Sequence, residues 1–274
     1  MRRAALATLL VGLAALSLAQ EAPRRPVQLY AHRGFTRELP ENSLSALTAA
    51  AALGVAGAEI DLRTTKDGHV VLMHDPTVDR TTTGSGPIES MTLAAVQALR
   101  LEAADGRAAT EGVPDLDAVL RFLDAHPRFA VAFDAKSIDV AAVGRRVSAA
   151  GLHRRITFFI DDPLDVERAR AIKQVDPRLR LSVNLMAWWK TEGLATFVTK
   201  ALDADALFSH EFYFPRFGGD FGEAKRAGAE VQVYLPGADR LPERLERVVR
   251  MGADVVSSDR PDLIVDVAKR LAAR

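Results

Sequence analysis

Two histidines and several carboxylates are concentrated between His32 and Asp75, each beside an apolar segment. A pair of imidazoles can supply one proton donor and one proton acceptor near neutral pH. Glu59 and Asp61 are two positions apart, so on a strand both carboxylates point to one side, as a bound cation requires. Polar groups at strand ends cost stability unless they have a use. The pattern therefore predicts metal-assisted chemistry on an anionic substrate.

The composition is typical of an α/β protein and excludes several classes of function. The chain has 274 residues, 48% of them hydrophobic, with 36 basic and 36 acidic side chains. This length suits one large domain or two small ones, and the balanced charge lacks the basic excess of a nucleic-acid binder. The chain contains no cysteine, which excludes disulfides, thiolate zinc sites, a cysteine nucleophile and a lipid-modified cysteine.

The amino-terminal segment has the pattern of an export signal. Two arginines precede an apolar run from Ala4 to Ala19, which ends on small residues suited to cleavage. The run is slightly short for a membrane-spanning helix, and polar residues follow it at once. We expect a cleaved signal peptide over residues 1–19 rather than a retained anchor, followed by one catalytic domain over residues 26–274. The mature protein would then be periplasmic or secreted, without stable membrane insertion.

Short apolar runs alternate with helical stretches along the mature chain. The predicted strands are Val27–Ala31, Ala58–Leu62, Ala130–Asp134, Ile156–Ile160, Leu181–Leu185, Ala206–Ser209, Val231–Leu235 and Asp254–Ser257. The predicted helices are Leu44–Leu53, Leu116–Ala125, Val140–Ala150, Asp165–Gln174, Leu194–Leu202, Phe221–Ala227, Glu243–Met251 and Leu263–Leu271. Eight such strands, each nearly uniformly apolar, predict an α/β protein with a closed (β/α)8 TIM barrel.

One further strand, Val70–Asp75, does not fit the alternation. It follows the second predicted strand after too few residues for a parallel crossover, and Asp67-Gly68 is a hairpin turn signal. We therefore predict a β-hairpin inserted after strand 2. Folding about Lys66-Asp67 would bring His74 across from Glu59.

Polar side chains end three of the predicted strands. His32 and Arg33 end the first, Glu59 and Asp61 the second, and Asp134-Ala135-Lys136 the third. Active sites of (β/α)8 barrels lie where strands end and the following loops begin. All of these groups are therefore expected on one rim, which predicts an active site there.

The same residues form an ordered set of motifs that resembles the glycerophosphodiester phosphodiesterase family. In its densest part the set is His32-Arg33-Gly34, Pro40-Glu41-Asn42-Ser43, Glu59-Ile60-Asp61, Thr65-Lys66-Asp67-Gly68, Val71-Leu72-Met73-His74-Asp75 and Asp79–Gly86. Weaker matches follow in order at Val113–Leu116, Phe133–Lys136 and Gly252–Pro261. The resemblance implies a metal-dependent barrel enzyme that hydrolyses glycerophosphodiesters to glycerol 3-phosphate and an alcohol.

The roles that the resemblance implies agree with the chemistry of the side chains. Oxygen-only ligands favour one hard divalent cation, Mg²⁺ or Ca²⁺, and Arg33 can hold a phosphate oxygen bidentately. The two histidines would divide the proton transfers, with the order left open. The implied site is His32 and His74 for acid–base catalysis; Glu59, Asp61 and Asp134 for the metal; Arg33 and Lys136 for the phosphate; and Glu41 and Asn42 in support.

Two aromatic groups follow the fifth and sixth predicted strands, where loops would face the site. Core packing explains most aromatics, but Trp188 and Phe212 are also candidates for a wall against the leaving alcohol, with choline as one candidate. Two departures from the family pattern stand out: Asp134 replaces a more usual glutamate, and Val231–Leu235 lacks the usual aromatic-rich strand ending.

Simpler interpretations stand beside these predictions. Asn42 precedes a helix, so capping is its expected role, and Asp75 and Arg80 are expected to brace the His74 loop. Glu59 and Asp61 could instead pair with basic residues in a structural ion network. Two alternative functions also remain: a lipid phosphodiesterase acting on lysophospholipids or sphingolipids, and an inactive phosphodiester-binding protein.

Overall fold

The computed structural model describes residues 26–162, 164–185, 193–213, 225 and 228–272. Eight parallel strands in these ranges form a ring that closes through pairing of its first strand with both the second and the last. This ring confirms the predicted (β/α)8 barrel. Its strands are β1 (Gln28–His32), β2 (Gly57–Thr64), β4 (Ala130–Ser137), β5 (Ile156–Ile160), β6 (Arg180–Asn184), β7 (Ala206–His210), β8 (Glu230–Leu235) and β9 (Val255–Ser258).

The extra strand β3 (Val70–Leu72) lies outside the ring. It runs antiparallel to the end of β2, with Leu62 opposite Leu72. The predicted hairpin is therefore confirmed, although β3 is shorter than the predicted run Val70–Asp75.

Helices connect the strands, as predicted for most of the chain. Those of the described residues are α1 (Leu44–Leu53), α2 (Leu93–Gln97), α3 (Leu116–Ala125), α4 (Val140–Ala149), α5 (Val166–Val175), α6 (Leu194–Ala201), α7 (Leu241–Met251) and α8 (Val265–Ala272). The short α2 and the 3₁₀ turns Ile88–Ser90 and Pro261–Leu263 were not predicted. Apart from Lys225, the helix predicted over 221–227 lies outside the described residues.

Side-chain caps explain where several helices begin. Ser43, Asp115, Asp139 and Asp165 each accept a hydrogen bond from the backbone amide three residues later. Such caps satisfy amides that have no partner within the helix. They fix the connections that lead from the rim into α1, α3, α4 and α5.

Each barrel strand has two faces because side chains alternate along it. On β2, Ala58, Ile60 and Leu62 are fully buried in one core with helix residues such as Leu47. The intervening residues of β2 face the barrel interior. A polar residue at an interior position near a strand's carboxyl end therefore reaches the catalytic rim of such a barrel.

The segment between β3 and α3 forms a small module beside this rim. It has its own buried core, separate from that of the barrel. That core consists of Val71, Met73, Val78, Ile88, Val96, Leu101 and Val113. The module packs behind the loop that carries His74 and Asp75, so it supports one side of the candidate site.

Candidate active site

Three acidic side chains meet at the carboxyl ends of β2 and β4. Asp61 lies opposite Asp134 in the register of these strands, and Glu59 is two residues before Asp61. One carboxylate oxygen from each residue lies within 4.8 Å of those of the other two. Asp61 is 1% exposed and Asp134 is 7% exposed, so the cluster is largely shielded from water.

The electrostatics of this cluster favour a bound cation. Burial and the neighbouring carboxylates hold the pKa of Glu59 well above its usual range. Burial, opposed by Lys136, raises the pKa of Asp134 to about 7. Asp134 Oδ1 is also buried without a hydrogen-bond partner. An orphaned oxygen in an all-oxygen donor set fits a hard divalent ion such as Mg²⁺ or Ca²⁺.

Two basic side chains flank the carboxylates. Lys136 Nζ lies 2.5 Å from Asp134 Oδ2 and 3.8 Å from Asp61 Oδ1, and Arg33 Nε lies 3.4 Å from Asp61 Oδ2. Asp61 therefore forms the ion pairs with Arg33 and Lys136 that the sequence left as an alternative. Glu59 instead accepts a hydrogen bond from the Arg33 backbone amide at 3.3 Å. Burial lowers the pKa of Lys136, but Asp134 outweighs it and the net direction is upward. Both cations stay charged and are available to an anionic substrate.

Asp161 joins this group although it was not predicted. It follows β5, and its Oδ2 accepts a hydrogen bond from Lys136 Nζ at 3.2 Å. Its position one residue beyond a barrel strand was the signal that could have identified it. Lys136 therefore bridges Asp134 and Asp161 at the rim.

His32 is held by a carboxylate from the far end of the chain. Its Nδ1 lies 2.7 Å from Asp259 Oδ1, and its Nε2 lies 3.7 Å from Glu59 Oε2. Asp259 also accepts hydrogen bonds from the Tyr234 hydroxyl at 2.9 Å and the Gly237 amide at 2.9 Å. One ring nitrogen is thus anchored, and the other faces the carboxylate cluster.

His74 is held in the same way by its neighbour. Its Nδ1 lies 2.7 Å from Asp75 Oδ1, and its carbonyl accepts two hydrogen bonds from the Arg63 guanidinium, at 2.8 and 2.7 Å. Arg80 donates to Asp75 from Nε at 2.7 Å. The predicted bracing of the His74 loop by Asp75 and Arg80 therefore matches these contacts.

The predicted pairing of His74 with Glu59 is wrong by one residue. The amide of Met73 donates to the Asp61 carbonyl at 3.0 Å, which places His74 beside Ile60 in an extension of the ladder. The cause is the turn. It is closed by the Thr65 amide and the His69 carbonyl at 2.8 Å, so it is centred on Asp67 and not between Lys66 and Asp67.

Asn42 is not the cap of α1. Ser43 caps that helix, and Asn42, 2% exposed, makes a paired contact with Asp61. Its Nδ2 donates to Asp61 Oδ2 at 2.9 Å, and its Oδ1 accepts from the Asp61 amide at 3.0 Å. The capping prediction was wrong because Asn42 adopts a left-handed conformation, with φ of 55°, that turns its side chain toward β2.

Glu41 connects the two halves of the site. Its carboxylate accepts from Arg33 Nη1 at 3.1 Å, and from Arg80 Nη1 and Nη2 at 2.8 Å each. Arg80 in turn holds Asp75, which holds His74. A continuous series of charged contacts therefore joins Arg33, beside the carboxylate cluster, to His74.

An aromatic row extends from His32 along the rim. The rings of His32 and Tyr234 are 4.5 Å apart, those of Tyr234 and His210 are 5.4 Å apart, and those of His210 and Phe212 are 4.4 Å apart. Burial lowers the pKa of His210. Phe212, which the sequence offers as a candidate for the wall against the leaving alcohol, is 70% exposed at the end of this row. Trp188 lies outside the described residues.

His210 and Tyr234 were not predicted as site residues from the sequence. Both occupy interior positions at or next to the carboxyl ends of β7 and β8, and they lie opposite each other in the register. The alternation of faces along these strands was the available signal. Tyr234 also supplies an aromatic residue to the end of β8, where an aromatic-rich ending was judged absent.

Among the residues that the structure describes, no helix combines the length and the apolar character that crossing a bilayer requires.

Comparisons with known proteins agree with this architecture. The profile of the glycerophosphoryl diester phosphodiesterase family matches residues 32–263. The chain is 30% identical over 244 residues to a glycerophosphodiester phosphodiesterase of Caldanaerobacter subterraneus, covering 88% of this chain and 97% of that protein. It is similar to the crystal structure of a glycerophosphodiester phosphodiesterase from Agrobacterium tumefaciens, with a TM-score of 0.75, 28% identity, and coverage of 89% and 99%.

A third similar protein carries a ligand. An Oleispira antarctica phosphodiesterase, solved in complex with the product sn-glycerol-3-phosphate, has a TM-score of 0.69 at 22% identity, with coverage of 88% of this chain and 96% of that one. At that identity the likeness concerns the fold. Together with the family profile and the full-length relative, the site leads to one conclusion: this chain belongs to the glycerophosphoryl diester phosphodiesterase family and is a phosphoric diester hydrolase.

Proposed function

We propose that this protein is an exported, divalent-cation-dependent enzyme that hydrolyses glycerophosphodiesters to glycerol 3-phosphate and an alcohol, with His32 and His74 as its acid–base pair. The observation that carries the proposal is the pair of imidazoles, each anchored at Nδ1 by a carboxylate at 2.7 Å. Anchoring at one nitrogen leaves Nε2 of each ring for proton transfer.

Glu59, Asp61 and Asp134 would hold the cation. When bound, a divalent ion withdraws charge from the phosphoryl oxygens and so makes phosphorus more electrophilic. Asn42 keeps the Asp61 carboxylate in place through its two hydrogen bonds, at 2.9 and 3.0 Å. The orphaned Asp134 Oδ1 supports this assignment.

Arg33 and Lys136 would bind the substrate's anionic phosphodiester. Their guanidinium and ammonium groups offer charge-assisted hydrogen bonds, which are the strong class in proteins. Arg33 is oriented by Glu41 and Asp61, and Lys136 by Asp134 and Asp161. Prior orientation means that little side-chain freedom is lost when the phosphate arrives.

The two histidines would then move the protons of the reaction. One imidazole accepts a proton from the attacking oxygen, which belongs to water or to the substrate's own glycerol, as the new P–O bond forms. The other donates a proton to the leaving alkoxide as the old P–O bond breaks. Attack by the glycerol hydroxyl would give a cyclic phosphate, which water then opens to glycerol 3-phosphate with the two imidazoles exchanging roles. Each such transfer is typically worth about a hundred- to ten-thousand-fold in rate. The product-bound structure of the Oleispira antarctica relative supports glycerol 3-phosphate as the product.

A head-group panel tests the proposal. The purified mature protein would be assayed on glycerophosphocholine, glycerophosphoethanolamine and glycerophosphoglycerol, with Mg²⁺, Ca²⁺ or a chelator. We expect glycerol 3-phosphate from at least one substrate, with activity lost in the chelator and restored by excess metal. Undiminished turnover after chelation would contradict the proposed metal dependence. Absence of turnover with every diester would contradict the proposed substrate class. Lysophosphatidylcholine in the same panel separates a lipid phosphodiesterase from this function.

Export is the part of the proposal that rests on the sequence pattern of residues 1–19. Expression of the full chain in a bacterial host, followed by fractionation and amino-terminal sequencing, tests it. We expect the protein outside the cytoplasm with an amino terminus beginning at Gln20. An intact Met1 on a membrane-bound protein would contradict cleavage.

A further inference from the structure

A second polar cavity lies at the end of the barrel opposite the candidate active site. It has a volume of about 340 Å³ and is lined mainly by residues at the amino ends of the strands and by the loops that precede them. Its lining is Gln28, Tyr30, Ala56, Arg128, Ala130, Arg154, Arg155, Thr157, Arg180, Glu230 and Gln232. On β8, Glu230 lines this cavity, whereas Tyr234, four residues later, contacts His32. At about 3.3 Å per residue, the two sites are separated by roughly 13 Å along β8.

The interior of the barrel is polar at this end. Arg180 Nη2 lies 2.7 Å from Glu230 Oε1, and Arg180 Nε donates to Thr157 Oγ1 at 3.3 Å. One layer further in, the Ser182 hydroxyl donates to Gln232 Oε1 at 2.9 Å. Barrel interiors are more often filled by branched apolar side chains. Apolar side chains would fill this end of the barrel. The polar layer instead leaves it open, with hydrogen-bonding groups at the bottom of the cavity.

The lining carries an excess of positive charge. Four arginines line the cavity and Glu230 is its one acidic residue, which gives the lining a formal charge of +3; Asp124 offsets part of it near Arg155. Arg155 is held rigidly, because its Nη2 donates to the carbonyls of Leu123 and His126 at 2.6 Å each. The cavity therefore attracts anions, with part of its charge fixed by contacts to the backbone.

Tyr30 adds an unused donor to this arrangement. Its hydroxyl lines the cavity and has no hydrogen-bond partner among the described residues. Burial, with the charge of Glu230, raises the pKa of Tyr30 to about 12, so the phenol keeps its proton. A Cβ on Gly57 would come within 2.9 Å of Tyr30 Cζ, so the glycine makes room for the ring. A phenol that keeps its proton and has no partner can donate a hydrogen bond to a ligand that enters the cavity.

We propose that this cavity is a binding site for a small oxyanion of the phosphate class, held by Tyr30, Arg128 and Arg154 above the Arg180–Glu230 ion pair. A phosphate oxyanion presents several charged acceptor oxygens, which match a lining rich in guanidinium forks. The volume admits inorganic phosphate or the phosphomonoester of a small alcohol, and both share the group that the arginines recognise.

Calorimetric titration of the mature protein with inorganic phosphate, in chelator and at low ionic strength, tests the site. A parallel titration with methyl phosphate separates the free ion from a monoester. We expect Arg128→Gln/Arg154→Gln to weaken one phosphate site at least tenfold. Tyr30→Phe, which leaves the charge unchanged, should weaken the same site several-fold. Turnover of glycerophosphodiesters at low phosphate should stay unchanged, since none of these residues lies at the catalytic rim.

The control is Arg121→Gln/Arg145→Gln, which removes the same charge from exposed helix positions outside the cavity. It should leave phosphate affinity within about twofold of that of the unsubstituted protein. An equal loss of phosphate affinity in the control and in Arg128→Gln/Arg154→Gln would show that only the overall charge matters, which would overturn the proposal. Unchanged affinity in Tyr30→Phe and in the double variant would overturn it as well, leaving water as the occupant.

Discussion

His32 and Asp259 are separated by 227 residues in the chain, yet their side chains meet at 2.7 Å. Closure of the ring explains the contact, because β1 pairs with β9 and brings the two strand ends together. The carboxylate fixes the orientation of the imidazole and stabilises it when it becomes protonated. Asp259 is thus a positioning residue for His32.

Asp259→Asn should lower kcat by at least about tenfold while KM changes little, because the carboxylate orients His32 and supports its charged form. Steady-state kinetics on the preferred substrate, with a pH–rate profile, would measure this. Tyr234→Phe removes a hydrogen bond to the same carboxylate and should have a smaller effect in the same direction. A rise in KM with kcat unchanged would assign Asp259 to substrate binding.

The same contact should make Asp259 contribute to stability in a defined pH range. Burial acts to raise its pKa, but the hydrogen bonds from His32 and the Gly237 amide outweigh it and lower the pKa from 3.8 to about 2. A folded-state pKa below the unfolded one stabilises above pH 3.8, and this contribution is lost as pH falls toward 2. Asp259→Asn should therefore lower the free energy of unfolding at pH 7 by about 1 kcal/mol, allowing for solvent screening.

Urea unfolding of both proteins between pH 2 and 7 would measure this difference. It should shrink on acidification through the range from pH 3.8 to about 2. A difference that stays constant over that range would show that the ionised carboxylate does not stabilise the fold.

Loss of either imidazole should abolish most of the activity without unfolding the barrel. His32→Ala and His74→Ala should each reduce kcat by about a hundredfold or more, because each removes one proton transfer. Circular dichroism melts should stay close to those of the unsubstituted protein. His69→Ala, at the exposed tip of the hairpin, is the matched control and should keep full activity. Near-normal turnover in either of the first two variants would remove that histidine from the mechanism.

Glu59→Gln should weaken divalent-cation binding at least tenfold, because an amide oxygen carries no full charge to offset dehydration of the ion. Calorimetric titration with Mg²⁺ and Ca²⁺ would measure the affinity. Glu89→Gln, an exposed residue of the inserted module, serves as the control for lost charge. Equal affinities for Glu59→Gln and the unsubstituted protein would exclude Glu59 as a ligand.

Arg80 should act on both halves of the site through Glu41 and Asp75. Arg80→Lys keeps the charge, but one ammonium cannot reproduce the forked contacts to both carboxylates. We expect kcat/KM to fall about tenfold with little change in melting temperature. The control is Arg107→Lys. Arg107 pairs with Asp105 on an exposed loop, so this substitution should leave kcat/KM and melting temperature unchanged. A loss of melting temperature without a loss of activity would limit Arg80 to a structural role.

Local patterns predicted most of the barrel. The strands and helices followed from apolar runs and their alternation, which depend on neighbours in sequence. The hairpin was also predicted, because its turn signal lies between the segments that it joins. Its register was wrong by one residue, since the centre of a turn depends on the backbone bond between Thr65 and His69 and not on composition.

The residues missed or misassigned have a common physical cause. Asn42 precedes a capped helix, but a left-handed backbone turns it toward Asp61. Tyr234 and Asp259 contact His32 only when the ring closes, and His210 reaches it through Tyr234. No sequence spacing encodes such distances.

By itself, the sequence determined which groups are present and the alternation that places them at strand ends, because hydrophobic periodicity and short motifs are local properties of a chain. Tertiary structure alone decided which groups share an environment. Closure of the sheet joined the first strand to the last, gave His32 its carboxylate partner Asp259, and buried three acids within 4.8 Å of one another. It also opened a cationic cavity at the opposite mouth, since only a closed ring has two ends.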